Sequence, residues 1–243
     1  MNTVLLLMRN NGLQYRGLLL LIVFMTLTVV SCTKAPPPVS QKVPPKPEMV
    51  EPPPERQLTK MELWKQLVHK NRYAPDDEKL AIVNSFFNGF EFVDDKYLWG
   101  KEDYWATLFE TLTMSGGDCE DLTIAKYFTL KDLHIPEQNM RLTYVISVKT
   151  KKPHMVLTCQ LNSEQEPLVL DTMNNYIFPV SRRPDLVPVY SFNMQGYWLA
   201  RKQEGWNGER IGSPARLSLW WGLLTRMKMS QSKKLYPVKN YYR

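Results

Sequence analysis

Cysteine is scarce in this chain. There are three in 243 residues, at positions 32, 119 and 159. So few thiols exclude a disulfide framework and leave each cysteine to be explained singly. Long apolar runs are also missing: the longest, LLLLIVFMTLTVV at residues 18–30, has 13 residues and is too short to span a bilayer comfortably. No internal repeat is present. Neither sign of charge dominates, with 31 basic against 24 acidic residues and a formal net charge of +7. That modest excess, on a chain that opens like an exported one, points to no nucleic-acid partner.

What is there begins with an export signal. Arg9 and Arg16 precede the apolar run and Ser31 and Cys32 follow it, the pattern of a secretory signal over residues 1–31. Its end, Val29-Val30-Ser31-Cys32, resembles a bacterial lipobox with Val29 where leucine is usual, so Cys32 is expected to be lipidated. Thr33 at the next position favours the outer membrane. Removing the signal deletes two arginines and no acid, leaving a charge of +5. Residues 35–54, APPPVSQKVPPKPEMVEPPP, contain nine prolines and no plausible core. With Cys32 they are read as an anchor and extended spacer, residues 32–57. The remaining residues, 58–243, suffice for one compact domain. Its basic end, Lys233, Lys234, Lys239 and Arg243, reads as a solvated tail.

Within the domain, KMELWKQLVHK (60–70) and DEKLAIVNSFFNGF (77–90) have helical spacing, with Leu80, Val83, Phe86 and Phe87 inward. A short helix is expected from about Tyr104. Gly116-Gly117 breaks the chain, and 119–132 is expected to be a helix with Leu122, Ala125 and Phe128 as its inner stripe. The period then changes from helix to strand. RLTYVISV (141–148), HMVLTCQL (154–161), EPLVLDTM (166–173) and a short strand around LVPVYSFN follow. PARLSLWWGLLTRMKMS closes as an amphipathic helix with Pro214 at its start. The fold class is therefore α+β, helices first and an antiparallel sheet after.

The stretch SGGDCEDL places Cys119 at a helix mouth between carboxylates. A helix N-terminus lowers a thiol pKa and offers free N–H groups to an oxyanion. Asp118, Glu120 and Asp121 act the other way, unless a hard cation such as Ca2+ neutralises them. A nucleophile, a metal ligand, half of a disulfide and a buried thiol all remain open at this point. Of the three histidines, His69 lies among lysines near a helix end and His134 lies just past a helix before Pro136. His154 opens a strand. If that strand and the next form a hairpin centred between Asn162 and Ser163, His154 lies directly opposite Asp171, the geometry that orients an imidazole. Cys159 falls on the other face of the strand, as a small core residue.

GGDCEDLTIAKYFTL, HMVL, PLVLD and VPVYSFN, with VNSFFN, FVDD and EDYWAT upstream, resemble the bacterial transglutaminase-like cysteine proteinases of LapG type, over roughly residues 58–229. The resemblance implies a papain-like, transglutaminase-core fold, in which N-terminal helices and a catalytic helix pack on the antiparallel sheet. It implies a catalytic Cys119–His154–Asp171 triad and Ca2+ dependence through Asp118, Glu120 and Asp121. It further implies a periplasmic endopeptidase that cuts an Ala-Ala-type site in the N-terminal region of a large surface adhesin. An inner-membrane cyclic-di-GMP receptor would sequester it and so control biofilm detachment. The sequence departs from the usual pattern in two places: the Cys32 anchor, and Leu108 where proline commonly follows Trp-Ala-Thr. Transglutaminase-type acyl transfer uses the same triad and stays open, as does a non-catalytic lipoprotein binding module.

Overall fold

The computed structural model describes residues 57–200 and 205–232. The expected signal, Cys32 and nearly all of the spacer lie outside them. Among the described residues no helix is long and apolar enough to cross a membrane.

Helix α1 (Lys60–Asn71) starts at a reciprocal cap in which Thr59 accepts from Glu62 N and Glu62 accepts from Thr59 N. It buries Trp64, whose Nε1 donates to Thr129 Oγ1 at 2.9 Å. Helix α2 (Asp76–Asn88) carries three acids in its first turn and buries Leu80, Val83 and Phe87. A short strand β1 (Glu91–Phe92) and a single turn α3 (Asp95–Leu98) follow. Helix α4 (Leu108–Met114) begins at a second Thr–Glu capping box, Thr107 with Glu110. It therefore starts four residues later than the spacing predicts. Residues 104–106 are held out of the helix because Tyr104 N donates to Asp95 Oδ2 at 2.5 Å and Ala106 N to Asp121 Oδ1 at 2.6 Å.

The turn into the next helix is tight. Ser115 takes a left-handed conformation, φ 57°, and Gly116–Gly117 forms β2, parallel to β1. A Cβ on Gly117 would stand 2.6 Å from Asp121 Cβ, so no side chain fits there. Helix α5 (Cys119–Asp132) then runs through the middle of the molecule. It is buried continuously from Asp121 to Leu130, so the expected inner stripe is only part of what it hides.

The sheet contains β3 (Met140–Ser147), β4 (Pro153–Cys159), β5 (Leu168–Asp171), β6 (Asn174–Pro179), β7 (Leu186–Phe192), β8 (Tyr197–Leu199) and β9 (Glu209–Gly212). Its order is β6-β5-β4-β3-β7-β8-β9, antiparallel throughout. Strand alternation divides its residues between two clusters. Leu142, Met155, Leu157, Cys159, Leu170 and Phe192 pack with α5 in the main core. Val145, Val156, Val169 and Leu186 form a smaller cluster. Helix α6 (Ser218–Ser232) closes the core with Trp220, stacked 5.9 Å from Phe128 and edge-on to Phe192. Pro214 opens a separate 3-10 turn, Pro214–Arg216, ahead of α6.

Candidate active site

Cys119 is the first residue of α5 and Asp118 its N-cap. The thiol is partly buried and donates to Glu120 Oε2 at 2.9 Å. Burial is the largest influence on its acidity, and Glu120 and then Asp118 add to it; together they push the thiol far above its usual range. The Met155 N–H pulls the other way, and it places the sulfur beside the start of β4. His154, the second residue of β4, is 7 % exposed. Both line one cleft of about 700 Å³, with Trp105, Tyr144, Tyr190 and Lys152 on its walls.

Asp171 ends β5. Its Oδ1 lies 2.7 Å from His154 Nε2 and accepts from Met173 N at 2.9 Å. Its Oδ2 accepts from Arg183 Nη2 at 2.6 Å. Burial would raise this carboxyl, but His154, the Met173 N–H and Arg183 outweigh it and hold Asp171 well below the usual carboxylate range. With Nε2 bonded to Asp171, Nδ1 is the imidazole nitrogen left for proton exchange. The strands are not in the expected register. Leu157 pairs with Leu170 and Thr158 with Val169, so the hairpin is offset by two residues and His154 meets Asp171 diagonally. An offset of two preserves the face, which is why the pair still forms. Cys159 sits in the main core, on the opposite alternation from His154.

The acids around Cys119 separate into two groups. Oxygens of Asp95, Asp118 and Glu120 all lie within 4.8 Å of one another. Burial raises Asp118 to about 9, reinforced by Glu120, Asp121 and Asp95. Asp95 is raised to about 6, by burial first and then, after an opposing Tyr104 N–H, by Glu120. One of its oxygens, Oδ1, is buried with no hydrogen-bond partner. Mutually repelling carboxylates with an unsatisfied buried oxygen fit a hard cation. Asp121, expected in this set, is not in it. It is fully buried, and its oxygens accept from Ala106 N at 2.6 Å and Trp99 Nε1 at 3.3 Å, clamping the 99–106 segment. Asp95 stands where Asp121 was expected. It was within view in the FVDD motif, but 23 residues from Asp118 nothing local marked it.

A further buried group escaped the spacing argument. Lys126, fully buried on α5, donates to Asn84 Oδ1 at 2.8 Å and Asn88 Oδ1 at 2.7 Å. Burial lowers its pKa to about 7. Asn88 Nδ2 in turn donates to the backbone oxygens of Asp171 and Asn174. The helix that carries Cys119 is thereby tied to the turn that carries Asp171.

A helix-mouth thiol in one cleft with a histidine–aspartate pair, on a central helix against an antiparallel sheet, defines the papain-like, transglutaminase-core class of cysteine peptidases. The chain belongs to the bacterial transglutaminase-like cysteine proteinases, whose family model matches residues 60–202. Among solved structures, LapG of Legionella pneumophila is 39 % identical over 69 % of this chain and 87 % of its own, with a TM-score of 0.60. The EGTA-treated form of that protein gives 0.63 over 88 % of its length, and the calcium-bound form 0.60 over 89 %. No curated protein matches the sequence. The chain is thus a cysteine endopeptidase of this family.

Proposed function

We propose that this chain is a calcium-dependent periplasmic endopeptidase whose nucleophile is Cys119, and that it cuts a large surface adhesin in its N-terminal region to release a biofilm. The observation that carries the catalytic part is the 2.7 Å contact between His154 and Asp171 in the cleft that Cys119 lines. The calcium part rests on the cluster of Asp95, Asp118 and Glu120 and on its likeness to a protein solved in calcium-bound and EGTA-treated forms.

The chemistry follows from the residues in place. His154 takes the thiol proton, and Cys119 sulfur adds to the peptide carbonyl carbon. Asp171 orients the imidazole and balances its charge. The carbonyl oxygen becomes an oxyanion beside the first-turn N–H groups of α5, a helix end with positive dipole. His154 then returns the proton to the leaving amine, and the C–N bond breaks. Water, deprotonated by His154, hydrolyses the thioester and restores the thiol. Calcium held by Asp95, Asp118 and Glu120 would supply the positive charge that offsets their repulsion and lifts the penalty on a neighbouring thiolate.

The substrate and setting extend the resemblance: an Ala-Ala-type site in an adhesin, and an inner-membrane cyclic-di-GMP receptor that sequesters the enzyme. Lipidated Cys32 and the proline-rich spacer would hold it at the outer membrane. The test incubates the purified full chain with the N-terminal segment of an adhesin from the same genome, with calcium or with EGTA. Two fragments in calcium and intact substrate in EGTA are expected. Intact substrate in calcium ends the protease reading, and a cross-linked product of higher mass shows acyl transfer in its place.

A further inference from the structure

Residues 181–185 read Ser-Arg-Arg-Pro-Asp, and the two arginines have opposite fates. Arg182 is exposed and lies over the Phe178 ring at 4.6 Å. Arg183 is 5 % exposed. A buried guanidinium is costly unless its donors are paired. Asp185 already takes two of them, from Nε at 3.0 Å and from Nη2 at 2.8 Å, and Asp185 reaches solvent. Burial against Asp171 is therefore more than this arginine needs for a partner. Yet its shortest contact, 2.6 Å, goes inward to Asp171 Oδ2.

The guanidinium is also held from behind. Arg183 N donates to Val180 O at 3.1 Å, and Arg183 O accepts from Leu186 N at 3.2 Å where β7 begins. Arg183 lies on the crossover from β6 to β7, just after the 3-10 turn Val180–Arg182, and from there its side chain reaches Asp171 at the end of β5. The charged groups facing Asp171 are His154 on β4, Arg183 ahead of β7 and, at longer range, Lys126 on α5 and Asp185. Of these, only Arg183 is bonded to Oδ2. A buried carboxylate oxygen left without a donor either takes up a proton or rotates to find one, and either event withdraws Oδ1 from His154.

We propose that Arg183 is a positioning residue of the catalytic unit, clamping Oδ2 of Asp171 so that the carboxylate stays ionised and Oδ1 stays on His154. This rests on reading Cys119, His154 and Asp171 as that unit, and the test separates the two. Alkylation of Cys119 by iodoacetamide in calcium-containing buffer reports the support given to the thiolate and needs no substrate. Peptide mapping separates it from alkylation at the buried Cys159.

In the full-length chain at neutral pH, R183M is expected to slow alkylation by about tenfold. R183K keeps the charge but not the fork, and is expected to recover part of the rate. The double variant D171N/R183M is expected to react no more slowly than D171N, because Arg183 acts only through Asp171. A rate for R183M within about twofold of the parent, or an equal loss in the D171N background, overturns the inference while the triad reading stands. An unchanged rate in H154A overturns both. Should R183M lose its native circular dichroism, D185N decides. It loosens the outer half of the fork with the core filled, and is expected to slow alkylation by about threefold; an unchanged rate overturns the inference.

Discussion

At Cys119 the helix dipole favours a thiolate while burial, Glu120 and Asp118 oppose it, and the opposition wins unless a cation offsets the acids. In EGTA, E120Q is therefore expected to alkylate faster than the parent by about tenfold at neutral pH, and to gain less from added calcium. Equal rates in EGTA would show that Glu120 does not hold the thiol back. H154A is expected to lower cleavage by about 10²–10⁴-fold with the thermal midpoint preserved, the usual worth of a general acid–base residue. At this scale the sequence carried much of the site. A cysteine at a helix mouth, a histidine opening a strand and an aspartate ending the next are all local patterns. What escaped was long-range: Asp95, which approaches Asp118 through the turn at α3, and Arg183, which meets Asp171 from the crossover between β6 and β7. Asp121, next to Glu120 in the sequence, is the acid whose oxygens accept from the Ala106 backbone and the Trp99 indole, contacts that local spacing does not reveal.

Among the elements, α5 is the one on which the site depends. Its bounds, 119–132, follow from Gly116-Gly117 at one end and the change of period at the other. Its burial on all sides does not follow, because a helix between α2, α4 and the sheet needs no amphipathic stripe. L130A, at a fully buried position on α5, is expected to cost about 2–5 kcal/mol, measured by chemical denaturation. G117A forces a methyl into Asp121 and is expected to cost about 1–3 kcal/mol and to displace the 99–106 segment from the cleft. Unaltered stability in G117A would mean that Asp121 can move aside, contrary to its role as a clamp. The β4–β5 hairpin shows how register tolerates error. The turn through residues 162–165 is wider than a two-residue loop, and an offset of two left every side chain on its predicted face. Strands β6, β8 and β9 were not legible, being short and bounded by polar turns with weak alternation.

For the whole molecule, the cluster ties stability to pH and to calcium. Asp95, Asp118, Asp121 and Asp132 all have folded pKa values raised above 3.8, to about 6, 9, 7 and 7, with burial the largest cause in each. A raised carboxyl binds more protons folded than unfolded, so stability falls as pH rises between its two values. The lowered Lys126 acts oppositely, but only above about 7, and Asp171 matters only in acid below the ordinary carboxylate range. In EGTA the thermal midpoint is therefore expected to fall from about pH 4 to about pH 7, and calcium is expected to flatten that slope. A midpoint that rises over this range in EGTA would show that these acids are not strained in the folded state. The central claim is that the thiol leaves Glu120 for His154 when the acidic cluster is filled. A crystal structure of this protein grown with calcium tests it most directly. The account predicts Cys119 Sγ within about 4 Å of His154 Nδ1, Asp171 still on Nε2, and Glu120 on the ion. Calcium bound with the thiol still on Glu120, and the imidazole out of its reach, would contradict it.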